Sequence, residues 1–323
     1  MANITVERLY YLHIAIHWLH LSSYDGVMAS NDSVPAVTSA STLAARLPPH
    51  VFFFVSAVFH YLGPSFAVLL FASLAPPGVA WLRIASAGLI FALWRGPWRT
   101  FTMLPRQDRG IIIGLGIILA LMNMLFYEAI ARLPLATVGA IEFLGPIALA
   151  AWGMRTRRNL TAITLAAGGV YILTDVRISG ELPGYLFAFA NCALFMGYIV
   201  LGHRISAGGA GASGIDRLGC AMLAATVAAL PFGLNEALPA FTNPMLLAAA
   251  VGIGVSSSVI PYVCDQLAMA RLPRASFALL LSLLPASAAV IGFIVLRQTP
   301  TTAELSGITL VIAGVALHRS SDA

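Results

Sequence analysis

Glu142 is the residue with the most chemistry to offer. It lies near the middle of an apolar run over residues 134–153, with Pro146 four residues on and so on the same helix face, and with Gly139 and Gly145 nearby to allow close packing. A carboxylate in that position must face a polar cavity, pair with a cation or stay protonated, and a single such group can exchange a proton for a bound ammonium. Arg83 is the one Arg clearly inside an apolar run, about six residues into 77–94. It can bind an anion, pair structurally or reach outward along its stem. Asn123 and Tyr127 are four apart and share a face with Ala120 and Gly116, which suits ligand contact or core packing. In the run 245–267, Ser257, Pro261 and Asp265 also recur every four residues, and Tyr262 adds a hydroxyl. Pro261 predicts a helix break whose freed carbonyls must be met by protein or a water cavity. Asp265, near the end of that run and close to Arg271, is expected to make an ion pair at the membrane interface. Glu128 precedes Arg132 by four residues, the spacing of a helix-end ion pair. His60 with Pro64, and Asn191 with Tyr198, are further polar groups that either touch a cavity or serve structure.

Soluble catalytic signatures are missing. There is no GxSxG, HExxH, phosphate-binding loop or dinucleotide fingerprint, so neither an enzyme nor a built-in ATP motor is indicated, and no cofactor is expected. Cys192, Cys220 and Cys264 stand singly in apolar surroundings, which favours buried thiols over disulfides or a zinc site. His13, His17 and His20 are at helical spacing, but the expectation for them is an interfacial or disordered tail and no metal.

The elements that hold these residues follow from the composition. Of 323 residues, 59% are hydrophobic and only 10% charged, with 13 acidic and 18 basic side chains and a mean hydropathy of +0.88. That is too little charge to coat a soluble globule, so lipid is the main solvent. The net charge of +5 gives no nucleic-acid reading, because the basic residues sit between apolar runs as orientation charges do. Ten runs approach the roughly 20 residues a spanning helix needs: 51–72, 77–94, 110–128, 134–153, 160–174, 183–202, 217–235, 245–267, 275–296 and 302–318. They are apolar all round, unlike the alternating strands of a membrane barrel. With a cytoplasmic N-terminus, thirteen Arg fall on inner segments and only Arg132, Arg177 and Arg297 on outer ones, which places both termini inside.

An internal repeat is the most informative feature. Residues 122–175 laid over 261–314 at a constant offset of 139 give 12 identities in 54 columns. Ala131-Arg132-Leu133-Pro134 falls on Ala270-Arg271-Leu272-Pro273, Pro146 on Pro285, Gly153 on Gly292 and Gly168 on Gly307. Five helices per half is odd, so the second half must enter the membrane upside down. The Arg counts agree. The first of these loops carries Arg132 in half one but Arg271 and Arg274 in half two, and the next goes from Arg155, Arg157 and Arg158 to Arg297 alone. The expected organisation is an N-terminal extension over 1–46, interfacial or disordered, then inverted five-helix repeats over 47–178 and 179–319. Residues 10–21 are apolar but too short to span, and Met28 is a plausible alternative start.

The runs FYEAIARLPLATVGAIEFLGPIALAAWG (126–153), SSSVIPYVCDQLAMARLPRASFALLLSLLPASAAVIGF (256–293) and GPSFAVLLFASLAPPGVAWLRIASAGLIFALWRGPWR (63–99) resemble threonine/homoserine exporter-type permeases of the drug/metabolite transporter superfamily, which carry two EamA repeats. Its most specific parts are residues 142–146 and 258–262. The resemblance implies an all-α polytopic protein of ten transmembrane helices in the inner membrane, exporting small amino acids or related metabolites. One departure stands out: the family commonly has Glu before the proline of the ninth helix, where this chain has Leu284 before Pro285. Together these readings predict a proton-coupled, alternating-access exporter, monomer or homodimer, with Glu142, Arg83, Asn123, Tyr127, Tyr262 and Ser258 binding substrate. Glu142 also carries the proton, and Pro146, Pro261 and Pro285 break helices. An uncoupled facilitator or a multidrug exporter is the alternative within the fold, and a membrane-embedded enzyme the remote one.

Overall fold

In the computed structural model, the described residues are 48–145, 156–175, 182–206, 213–272 and 284–317. They form helices α1 (Pro49–Leu70), α2 (Pro76–Arg95), α3 (Pro97–Met103), α4 (Arg106–Ile130), α5 (Leu135–Glu142), α6 (Arg157–Asp175), α7 (Leu182–Ser206), α8 (Gly214–Phe241) and α9 (Pro244–Gly254). A π-turn (Val255–Val259) joins α9 to α10 (Ile260–Met269), followed by α11 (Leu284–Leu296) and α12 (Thr302–Leu317). No strand occurs among the described residues. Among the described residues, six stretches are long and apolar enough to cross a membrane: Val51–Leu70, Pro76–Arg95, Arg106–Ile130, Leu182–Ser206, Gly214–Phe241 and Pro244–Met269. Of the other expected spans, α6 is too polar by that measure, with Arg157 and Arg158 at one end and Asp175 at the other. Leu135–Glu142 and Leu284–Leu296 run into residues outside the description, and α12 is short.

Local chemistry sets the helix ends. Proline at the first helical positions starts α1, α2, α3 and α9, where a missing N–H is harmless. Ser213 and Asp216 close a capping box on α8, and Asn243 accepts from the Met245 and Leu246 amides at the start of α9. Gly96, at φ 55°, ends α2 in the left-handed region and turns the chain directly into α3. That short helix is not signalled by hydropathy, because it is too brief to span. α8 runs further at both ends than the apolar run 217–235, starting from the capping box at Ser213 and ending beyond Pro239 at Phe241.

Packing joins helices far apart in the chain. α2 lies along α8 and α6 along α12, while α4 packs on α7 and α8, and α1 packs on α10, α11 and the π-turn. Small residues permit this closeness. A Cβ at Gly233 of α8 would sit 2.4 Å from the Trp81 Cβ of α2, and one at Gly314 of α12 would sit 2.5 Å from the Ala162 carbonyl of α6. Large apolar side chains including Phe54, Leu93, Val227 and Ile294 remain exposed, as on a lipid-facing surface. At one end, Arg95 of α2 pairs with Asp216 of α8 at 2.7 Å and Arg217 with Asp108 of α4 at 3.5 Å.

Pro261 does not break its helix. The backbone widens instead into the π-turn and continues as α10, a known response to a missing amide. Pro146 lies outside the described residues. Pro285 falls at the start of α11, whose preceding residues also lie outside, so neither expected break is described.

Candidate functional site in the bundle interior

The π-turn and Arg83 are built together. Pro261 has no N–H to return to the carbonyl of Ser257, one turn back. The Arg83 Nη2 donates to that carbonyl at 2.6 Å, and its Nε donates to Ser258 Oγ at 2.7 Å. The guanidinium carbon stands 5.4 Å from the centre of the Tyr127 ring, a cation–π contact. Thus α2, α4 and the π-turn converge on one buried cation. Gly254 makes the approach possible, since a Cβ there would meet Ser86 Oγ and lie 2.9 Å from the Arg83 carbonyl.

Glu142, the last residue of α5, is buried and accepts from Tyr61 Oη of α1 at 3.1 Å and from Asn191 Nδ2 of α7 at 2.9 Å. Gly139, a turn earlier, lets Tyr61 in: a Cβ there would be 3.0 Å from the Tyr61 hydroxyl oxygen. Glu142 and Arg83 form no ion pair with each other. Both opposite charges are therefore buried, and each is held by other partners.

Asn123 donates to the Leu119 carbonyl at 2.7 Å and to Tyr262 Oη at 3.4 Å. These two residues are 139 apart, the offset of the internal repeat, so equivalent positions meet across the interior. Two buried polar atoms near the charges have no hydrogen-bond partner, Tyr127 Oη and Asn191 Oδ1. One is on the residue stacked under Arg83, the other on the residue that holds Glu142. A buried polar atom left unmet is costly and calls for a group that meets it, such as a water or a ligand.

All six sequence-predicted binding residues are buried. Arg83, Ser258 and Tyr127 form one cluster and Asn123 and Tyr262 a second. Glu142 instead sits with Tyr61 and Asn191. Asn191 was legible only as an intramembrane amide, and Tyr61 gave no signal, since a Tyr in an apolar run is ordinary. The expected ion pair of Asp265 with Arg271 is not formed. Asp265 is buried and accepts from Ser56 Oγ at 2.5 Å and Tyr198 Oη at 3.3 Å, while Arg271 lies over the Phe52 ring at 5.3 Å. The helix turns Asp265 inward toward α1 and α7, whereas Arg271 is in the exposed turn beyond α10. Glu128 and Arg132 do pair. His60 packs edge-on against Tyr61 and Phe195. A cleft of about 480 Å³ opens elsewhere, between the α4–α5 turn and the α11–α12 loop, lined among others by Arg132, Leu133, Arg297, Gln298 and Glu304.

Comparison with known proteins adds a family to this geometry. The model of the EamA-like transporter family matches residues 182–319. The threonine/homoserine exporter RhtA of Escherichia coli K12 is 31% identical over 254 residues, spanning 78% of this chain and 84% of the relative. The RhtA of Salmonella typhimurium LT2 gives the same identity and coverage. A protein of known crystal structure, 18% identical, superposes with a TM-score of 0.55 over 84% of this chain and 96% of its own. At that identity the likeness speaks for the fold alone.

Proposed function

Because the chain belongs to the EamA-like transporter family, we propose that it is a secondary transporter that exports a small amino acid or related polar metabolite by alternating access, coupled to protons. The observation that carries this reading is the pair of buried, mutually unpaired opposite charges, Glu142 and Arg83, each accompanied by a polar atom lacking a partner. A structural ion pair would bring the two together. Two charges held apart suit a solute with charges of both signs at fixed separation. Its ammonium goes to Glu142 and Asn191 Oδ1, and its carboxylate to Arg83 and the Tyr127 hydroxyl. Glu142 cannot hold an ammonium and a proton at once, so loading one expels the other. The relatives named as threonine/homoserine exporters support this class of solute.

The architecture in this reading is ten spans in the inner membrane, both termini cytoplasmic, as inverted repeats over 47–178 and 179–319 with the extension 1–46 outside them. The packing supports it. α2 on α8 and α6 on α12 are pairs of equivalent helices, α4 on α7 has its counterpart in α10 on α1, and α5 on α7 in α11 on α1. Counterflow in proteoliposomes tests the function. Vesicles preloaded with threonine are expected to accumulate labelled threonine, and a pH gradient is expected to drive net flux. No counterflow with any zwitterionic amino acid refutes it.

A further inference from the structure

A second carboxylate sits in the bundle that the proposed substrate site does not use. Asp265 is buried, and among the described residues neutral groups alone bond to it: Ser56 Oγ of α1 and Tyr198 Oη of α7. Three acids nearer the helix ends meet cations instead, Glu128 with Arg132, Asp108 with Arg217 and Asp216 with Arg95. Charge without a counter-charge is hard to keep in a bundle interior, and a bound proton removes the difficulty.

The hydrogen count at Ser56 points the same way. Its one hydroxyl hydrogen has two acceptors, Asp265 Oδ1 at 2.5 Å and the Pro261 carbonyl at 3.3 Å. With the carboxyl protonated, Asp265 donates to Ser56 Oγ and Ser56 donates to the Pro261 carbonyl. Every hydrogen then has one acceptor. When the proton leaves, the Ser56 hydrogen turns to the carboxylate and releases the carbonyl at the helix distortion. Protonation thereby changes the bond between α1 and α10.

The same two helices hold both interior carboxylates. α1 gives Tyr61 to Glu142 and Ser56 to Asp265, and α7 gives Asn191 to Glu142 and Tyr198 to Asp265. At about 1.5 Å per residue, the partners lie roughly 7.5 Å apart along α1 and 10.5 Å along α7. The rings of Tyr198 and Tyr262, 5.7 Å apart, continue the polar path from Asp265 to Asn123. The titratable and charged groups on the surrounding elements are His60 and Tyr61 on α1, Tyr198 and His203 on α7 and Arg217 on α8. Tyr262, Cys264 and Arg271 belong to its own segment. Of these, Tyr198 alone bonds to Asp265.

We propose that Asp265, with Ser56 and Tyr198, is a second proton-binding site of the transport cycle, distinct from Glu142 and linked to it through α1 and α7. This rests on the proton-coupled reading above. The test uses the full-length protein and the variant Asp265→Asn, whose amide keeps the shape but binds no proton. With a pH difference of about one unit, each coupled proton is worth about tenfold in accumulation. Asp265→Asn is expected to retain threonine counterflow while pH-driven accumulation falls about tenfold. Infrared difference spectra over a pH titration are expected to lose one carboxylic C=O band in this variant and a different one in Glu142→Gln. Unchanged accumulation, or an unchanged set of bands, overturns the proposal, as does a loss of sodium-driven rather than pH-driven flux, which would make the site a cation site. Wild-type counterflow that ignores pH overturns both the coupling and this proposal. If the wild type shows no counterflow, the transport reading fails and the infrared band still decides whether Asp265 takes a proton. Should Asp265→Asn fail to fold, Ser56→Ala is expected to shift the band assigned to Asp265 and its titration midpoint, and an unshifted band overturns the proposal.

Discussion

Arg83→Lys keeps the positive charge and removes the fork, and the structure says what that removes. The guanidinium donates to the Ser257 carbonyl at 2.6 Å and to Ser258 Oγ at 2.7 Å, and it faces the Tyr127 ring at 5.4 Å. A single ammonium cannot span both acceptors. One hydrogen bond from a charged group is lost, about 1.5–3 kcal/mol, and the stacking of a planar cation on the ring is weakened, about 0.5 kcal/mol or more. The total of about 2–3.5 kcal/mol corresponds to roughly 30- to 350-fold. It is expected to show as a lower thermal midpoint in detergent and a weaker threonine Kd, read by calorimetry on the same sample. Pro261 supplies the internal control. Pro261→Ala returns an N–H to the segment whose Ser257 carbonyl Arg83 serves, so Arg83→Lys should cost less in that background. A favourable coupling of about 1 kcal/mol is expected in the double-mutant cycle. Arg83→Lys with wild-type stability and affinity, or strictly additive effects with Pro261→Ala, would refute the argument.

Three further outcomes follow from packing, topology and chain extent. Gly63→Ala should destabilise by about 1–3 kcal/mol, because its Cβ would fall 2.2 Å from the Ser257 Cβ, whereas Gly252→Ala, with nothing within 4 Å, should be neutral or stabilising; thermal unfolding of both checks this. In a background without Cys192, Cys220 and Cys264, Arg132→Cys is expected to react with an impermeant thiol reagent from outside only and Arg271→Cys from inside only; both positions are exposed, and same-side labelling would remove the inverted repeat. A chain starting at Arg46 is expected to insert and transport like the full chain, measured by size-exclusion profile and counterflow.

Hydropathy made the long helices legible because lipid demands uninterrupted apolar length, and α1, α2, α4, α7 and the α9–α10 segment lie where the apolar runs put them. Intramembrane ionisable groups were legible for the same reason, which is why Glu142 and Arg83 could be singled out without partners. Their partners were not. Tyr61 and Ser56 are unexceptional in an apolar run, and only the packing of α1 on α10 and α11 brings them to the interior. Asp265 shows the limit most clearly: sequence distance puts it near Arg271, but helix rotation points it at Ser56 and Tyr198 instead. At Pro261 the missing amide was legible and its consequence was not. A π-turn with Arg83 as a substitute donor solves the problem that a full break was expected to solve.

Glu142 is a working carboxylate and not a structural one in this reading, and the variant Glu142→Gln separates the two roles. The amide keeps the shape and can still bond with Tyr61 and Asn191, the partners that hold Glu142. It can neither release a proton nor take an ammonium as an anion does, a loss of about 1.5–3 kcal/mol of charged hydrogen bonding, or roughly 10- to 150-fold. The measurement is threonine counterflow and thermal midpoint for Glu142→Gln, Arg83→Gln and the double variant in matched vesicles and detergent. A working Glu142 predicts a folded Glu142→Gln protein with counterflow reduced by that factor and pH-driven accumulation lowered about tenfold, the share of one coupled proton, and a double variant that is no better. An unstable Glu142→Gln protein whose stability and transport both return when Arg83 is also neutralised would contradict it.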